Sequence, residues 1–210
     1  MCSIIGSFDV QKVVDLCKLN EYRGQVSHSL SLYDITSGEI KVQRRVGPVD
    51  YDEILGLQKD HLTYVIVHMQ APTSDEFKVT TVHPAKYQDR YLWHNGILKQ
   101  EYVAKLKKDL DEVCSWDTFL MLKALYDDIH AVKLFDGSFA CLMYAHEKLF
   151  AFRNEISPLF FDSKLNFSST KFEGSTEVPP NRMLHIDFNF DELFSIYEYN
   201  TVMNPYFFAE

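Results

Sequence analysis

No two of the four cysteines stand at a spacing that would make a metal knuckle or a disulfide framework. Cys2, Cys17, Cys114 and Cys141 are scattered, with no CxxC element, which argues against both. The eight histidines show no metal spacing such as HxxxH. Positive charge is in deficit as well. The sum of 21 Lys and Arg against 30 Asp and Glu is a formal net charge of -9, without a block of five or more like charges, so generic nucleic-acid binding is not expected. Apolar runs such as residues 62–67 and 119–122 stop far short of the roughly 20 residues that cross a bilayer. The chain starts Met1-Cys-Ser-Ile-Ile-Gly6 and reaches Asp9 and Lys12 without a basic start or a long apolar stretch. No secretory signal is expected, and the cytoplasm is the expected compartment.

What is present is ample apolar material. The 210 residues are 46% hydrophobic and 14% aromatic, with 16 Phe and 12 Tyr, enough for one domain that buries a core without staples. Residues 3–8 read as a strand and 10–19 as a helix, with Cys17 among its apolar positions. Residues 26–33 alternate, and Thr36-Ser-Gly38 turns the chain into 39–46, a hairpin signature. A short helix over 51–58 and a buried strand over 62–68 follow. Residues 73–89 read as a loop leading to a second buried strand, 90–98. Helical spacing covers 99–113, and a second helix, capped by Asp117 or Ser115, runs through Tyr126. Six short strands over 139–144, 149–153, 159–162, 167–170, 183–188 and 194–199 then form a meander, with 174–180 as a flexible excursion. Cys141 alternates within the first of these and, like Cys17, reads as a core thiol; Cys114 beside Ser115 is undecided. Strands first, a helix pair in the middle and strands last suit two stacked sheets clad by helices.

Cys2 carries the most specific chemical signal. Removal of an initiator Met in front of a small residue would leave Cys2 as residue one, with a thiol nucleophile and a free α-amine of pKa about 7.7 to 8.0 on one carbon skeleton. The start Met1-Cys-Ser-Ile-Ile-Gly-Ser-Phe-Asp9 resembles that of class II glutamine amidotransferases, the amino-terminal-nucleophile (Ntn) glutaminase domains, most closely those of asparagine synthetases. Further elements resemble the family in order: Arg23-Gly24, Val65-Ile-Val-His68 with Thr73, His94-Asn-Gly-Ile97, Asp117-Thr118, Asp136-Gly-Ser-Phe-Ala140, Arg153-Asn154 with Pro158-Leu159, and Ser168-Ser-Thr-Lys171. Each is weak alone; six or seven in the correct order over about residues 2–190 are specific.

The resemblance implies an α+β fold, the four-layer α/β/β/α sandwich of the Ntn-hydrolase type, as a single glutaminase domain over 2–210 with its core in about 2–190. It implies hydrolysis of glutamine to glutamate and ammonia through a Cys2 thioester. Asn95 and Gly96 form the oxyanion hole, an amide donor and a backbone N–H unobstructed by a Cβ. Arg23, His68, Gln70, Thr73, His94 and Asp117 take substrate-side positions, with Asp117 on the α-ammonium. Neither metal nor cofactor is implied. Nothing follows about residue 200 to use the ammonia, so the expected partner is a separate synthetase or transferase; no nucleic-acid or membrane partner is expected. Read alone, Asn95-Gly96 is also a turn dipeptide, Asp117 a helix cap, and His68 and His94 hydrogen-bonded structural residues.

Three departures qualify the resemblance. Gln70 stands where the family places an Arg that forks the substrate α-carboxylate, and a neutral amide cannot form that charge-assisted pair. Phe119 replaces an acidic residue, and Gln25-Val26 follows Arg23-Gly24. Arg44, Arg45 and Arg90 are candidates for the lost charge. A poorly active regulatory relative, and an amidase whose substrate lacks an α-carboxylate, are the alternatives these departures motivate.

Overall fold

The computed structural model describes residues 2–57, 62–71 and 81–202. The first strand, β1 (Ser3–Ser7), is buried along its length. Asp9 then starts α1 (Val10–Leu19), its Oδ1 accepting the backbone N–H of Gln11 at 2.8 Å and of Lys12 at 3.3 Å, which satisfies donors that the first turn leaves open. Asn20 closes the helix with its amide on the Leu16 carbonyl at 2.8 Å. A 3₁₀ turn (Glu21–Arg23) leads into the hairpin of β2 (Ser27–Asp34) and β3 (Ile40–Val46). Asp34 sets its turn, accepting the N–H of Thr36 at 2.8 Å and of Ser37 at 3.1 Å, an Asx turn that the Asp side chain favours.

After α2 (Tyr51–Leu55) come β4 (Thr63–Gln70), β5 (Ala85–Tyr87) and β6 (Arg90–Leu98), then α3 (Gln100–Asp109), α4 (Asp117–Asp127) and a 3₁₀ helix (Ile129–Leu134). The remainder is β7 (Gly137–Ala145), β8 (Lys148–Arg153), β9 (Phe160–Phe161), β10 (Phe167–Ser168), β11 (Thr176–Glu177), β12 (Arg182–Asp187) and β13 (Glu192–Glu198). One sheet has the order β11-β9-β10-β1-β4-β2-β3 and the other β13-β12-β8-β7-β6-β5.

Alternation of side chains along the strands builds the layers. Ile4, Tyr64 and Ile66 of the first sheet meet Trp93, Ala140, Leu142, Leu149 and Ala151 of the second. Their neighbours Ile5, Val65 and Val67 point the other way and are covered by Val13, Leu16 and Cys17 of α1 and Ile54 of α2. On the far side, Leu92, Phe139, Cys141 and Phe152 pack under Leu106 of α3 and Leu120, Met121 and Leu125 of α4. Each aliphatic side chain so buried contributes about 1.5 to 3 kcal/mol. The outcome is the four-layer α/β/β/α sandwich of the α+β class, with Cys17 and Cys141 as core thiols.

Several local expectations are corrected. The helix expected over 99–113 ends at Asp109; Asp111 has φ +51° and Val113 is 91% exposed, so its apolar side chain is off the helix. Neither Ser115 nor Asp117 caps α4. Trp116 holds the cap position, without a side-chain bond, and Asp117 is the first helical residue. The expected loop 73–89 contains β5, and the excursion 174–180 contains β11. The carboxyl half is not a meander, because β9, β10 and β11 cross to the first sheet between β8 and β12. Arg153 ties the two ends of that crossing together: 3% exposed, it donates to the carbonyls of Val178 at 2.6 Å, Asn154 at 3.1 Å and Ser157 at 3.2 Å.

Candidate active site

Cys2 stands immediately before β1, 9% exposed, with Sγ donating to the Ala71 carbonyl at 3.6 Å. β1 and β4 are antiparallel with Ser3 opposite Met69, and the Cys2 thiol meets Ala71, the residue that follows β4. Burial pushes the Cys2 thiol above its ordinary value and the charge of Asp117 adds to this, against the lowering pull of the Ala71 contact, the amino terminus and Arg23. Arg23 is 6% exposed, and its Nε donates to the Cys2 carbonyl at 3.0 Å. It reaches that carbonyl because Gly24 lies against β4, where a Cβ would come within 2.5 Å of Ala71 N and Gln70 C. The pair Arg23-Gly24 therefore holds the backbone of the candidate nucleophile.

Asn95 and Gly96 lie inside β6, opposite Ala140 and Phe139, so the turn reading of this dipeptide is excluded. Asn95 is 3% exposed, and its Nδ2 donates to Ser169 Oγ at 3.4 Å. The same Oγ accepts Ile4 N–H at 2.9 Å, and Ser169 N–H returns to the Ile4 carbonyl at 3.1 Å. Ser169 thus joins the second sheet to β1 two residues from Cys2. Gly96 has φ +153°, and a Cβ there would lie 2.0 Å from the Ser138 carbonyl oxygen, a position only glycine fills without displacement.

Behind these residues runs a buried polar network. Gln70 Nε2 donates to the Thr81 carbonyl at 3.1 Å, which turns Oε1 toward His83, 3.4 Å from its backbone N and 3.2 Å from its Nδ1. His83 accordingly carries its proton on Nδ1, assigned here from the bonding pattern. His83 Nε2 is 3.0 Å from Thr118 Oγ1, and His94 Nδ1 reaches the same hydroxyl at 3.1 Å. His94 Nε2 lies 3.3 Å from the Ser138 carbonyl, while His68 Nε2 reaches the His94 carbonyl at 3.0 Å, and the His68 and His83 rings stack at 3.9 Å. Burial lowers the His68 pKa to about 3 and drives that of His83 well below its ordinary value. Burial lowers His94 too, opposed by Asp117 and the Ser138 carbonyl.

Asp117 lies at the edge of this network with its side chain 21% exposed, Oδ2 at 4.0 Å from His94 Nδ1. Its Oδ1 accepts Thr118 N–H at 2.7 Å and its Oδ2 accepts Leu98 N–H at 3.3 Å. Thr73 lies outside the described residues. Of the candidate replacement cations, Arg44 donates to the carbonyls of Val82 at 2.9 Å and Pro84 at 2.6 Å, on either side of His83. Arg45 pairs with Glu53 at 2.8 Å, and Arg90 donates to the Leu125 carbonyl at 3.0 Å. Phe119, on α4, packs against the apolar layer between that helix and the second sheet, edge-on to Tyr87. Among the described residues no group of three or more His, Cys, Asp and Glu could hold a metal, and no helix is long and apolar enough to cross a membrane. His83, Thr118 and Ser169 were not singled out as site residues by sequence reasoning. Thr118 and Ser169 sat inside motif elements that could have pointed to them; His83 carried no signal.

No protein-family model and no curated protein matches this sequence. Among solved structures, it is similar to the glutamine phosphoribosylpyrophosphate (PRPP) amidotransferase from B. subtilis, with a TM-score of 0.68 and 18% identity, covering 97% of this chain and 50% of that one. The allosteric regulatory enzyme of purine biosynthesis is similar at a TM-score of 0.67 and 17% identity, with the same 97% and 50% coverage. A glutamine aminotransferase class-II domain protein from Silicibacter pomeroyi is similar at 0.53 and 16% identity, covering 94% of this chain and 98% of that one. The chain thus spans about half the length, 50%, of the first two. With Cys2 at the head of β1, it shares its fold, the Ntn-hydrolase sandwich, with these glutamine amidotransferase structures.

Proposed function

We propose that this protein is a glutaminase of the class II glutamine amidotransferase kind, one domain over residues 2–210 with its core in about 2–190, working in the cytoplasm. The observation that carries the reading is the placement of Cys2: its carbonyl is held by Arg23, and Asn95 is tied through Ser169 to Ile4, two residues away. With Met1 removed, the α-amine of Cys2 takes the thiol proton as Sγ attacks the side-chain amide carbon of the substrate. Asn95 Nδ2 and the Gly96 N–H stabilise the oxyanion, and Asp117 receives the α-ammonium. The C–N bond breaks, ammonia leaves with the relayed proton, and the acyl group remains as a Cys2 thioester. Water then cleaves the thioester, giving the carboxylate product and restoring the thiol.

We read the ammonia as passing to a separate synthetase or transferase. The test of the chemistry is ammonia release by wild type and Cys2→Ser. A loss of at least about 10³-fold in kcat/KM is expected for the variant; unchanged release by Cys2→Ser contradicts the reading.

A further inference from the structure

Ser169 stands where the strand of Cys2, the strand of Asn95 and the end of α1 come together. It follows β10 and is 1% exposed. β10 pairs with β1 at Ser168 opposite Ile5 and Phe167 opposite Gly6, and Ser169 carries the pairing on to Ile4, donating its N–H to the Ile4 carbonyl at 3.1 Å. A regular antiparallel pair would return the Ile4 N–H to the facing carbonyl; here the Ser169 Oγ takes it, at 2.9 Å. The same oxygen accepts Asn95 Nδ2 from the other sheet at 3.4 Å. Its neighbours are fastened to the residue that closes α1. Ser168 Oγ accepts Asn20 Nδ2 at 2.9 Å, and Thr170 Oγ1 donates to Asn20 Oδ1 at 2.8 Å. Thr170 Oγ1 is also 3.0 Å from the Tyr22 hydroxyl, which accepts Arg23 Nη1 at 3.3 Å, and Arg23 holds the Cys2 carbonyl. One segment of three residues is thereby bonded to the strand behind Cys2, to the chain of groups that ends on the Cys2 carbonyl, and to the Asn95 amide.

A carboxamide turns about its last side-chain bond with a broad, weak preference, whereas an oxyanion donor is effective when its direction is set before charge develops. Ser169 Oγ is an acceptor that cannot drift, because the Ile4 N–H engages it from the first sheet while Asn95 engages it from the second. We infer that Ser169 is a positioning residue: its hydroxyl fixes the plane of the Asn95 carboxamide, and so the direction from which Nδ2 meets the oxyanion. This rests on Cys2 as the nucleophile and Asn95 as an oxyanion donor, and Ser169 acts through Asn95 alone.

The experiment measures kcat and KM for ammonia release from L-glutamine by wild type, Ser169→Ala, Asn95→Ala and the double variant, with Cys2→Ser as the control and urea unfolding to confirm that each is folded. Ser169→Ala is expected to lower kcat by about 10- to 100-fold with KM changed by less than about threefold. In the Asn95→Ala background the same change is expected to cost less than about threefold, because the group it orients is gone. Alkylation of Cys2 by iodoacetamide, a displacement that forms no oxyanion, is expected to stay within about threefold of wild type, since the Ser169 N–H still holds Ile4. Ser169→Cys, which keeps a weak acceptor in place, is expected to show the same pattern with a smaller loss, and it carries the cycle if Ser169→Ala does not fold. A wild-type kcat, a KM increase at constant kcat, or losses that multiply in the double variant overturn the positioning role while leaving the nucleophile intact. Ammonia release indifferent to Cys2→Ser overturns the positioning role together with the glutaminase reading.

Discussion

Arg23 donates to the backbone carbonyl of Cys2, which under the proposed function makes it a positioning residue for the nucleophile. Arg23→Ala would leave a buried carbonyl without this donor, at about 1 to 3 kcal/mol, and let the Cys2 backbone shift. We expect a fall of about 10- to 100-fold in kcat with KM changed by less than about threefold, measured by steady-state ammonia release. A KM increase at constant kcat would instead put Arg23 on the substrate. The resemblance implies a substrate-side place for Arg23, and the structure adds its bond to the Cys2 carbonyl, because a motif specifies a residue's neighbourhood and not where its guanidinium points. Gln70 shows the same limit. Its identity was visible as a departure, but its engagement by Thr81 and His83 depends on a segment thirteen residues on that folds back over β4.

At the scale of elements, β6 and β7 are held in a register that leaves no room at Gly96. A Cβ there would meet the Ser138 carbonyl at 2.0 Å and His94 Nε2 at 2.8 Å. Gly96→Ala is expected to destabilise the fold by about 3 kcal/mol, read as a lowered urea midpoint, and to abolish activity. A wild-type midpoint would contradict the packing described for this strand pair. Elements with strong periodicity were legible from the residues: α1 and β6 begin and end as the spacing predicts, because Asp9 caps one and the other is built on a buried middle, Leu92 to Asn95. The end of α3 was not, since Val113 continues the apolar spacing on paper while the backbone leaves the helix at Leu110. The crossing of β9, β10 and β11 to the other sheet was illegible too. Short strands look alike in sequence, and what places these in the first sheet is the long-range pairing of β10 with β1, Ile5 opposite Ser168 and Gly6 opposite Phe167.

For the whole molecule, three buried histidines link the two sheets, α4 and the segment before β5, and their neutrality makes stability depend on pH. His68 has its pKa lowered to about 3 by burial, and His83 and His94 are lowered in the same direction. The unfolded protein takes up protons on these rings below about 6.5 while the folded one does not, so stability is present above that pH and is lost as pH falls toward 3. At pH 5, His68 alone accounts for about 2 kcal/mol. Urea unfolding at pH 7.5 and pH 5 is expected to show this decline, and His68→Asn to flatten it; a midpoint independent of pH would contradict burial of the neutral rings. The layered fold was legible only through the order of motifs, because composition and alternation fit any pair of stacked sheets.

The most direct test of Cys2 as nucleophile is the intact mass of the purified protein before and after an electrophilic glutamine analogue, followed by peptide mapping. The expected result is loss of Met1 and a single adduct on Cys2 that substrate prevents. Retained Met1, or labelling that spares Cys2 and falls on Cys114, would contradict it.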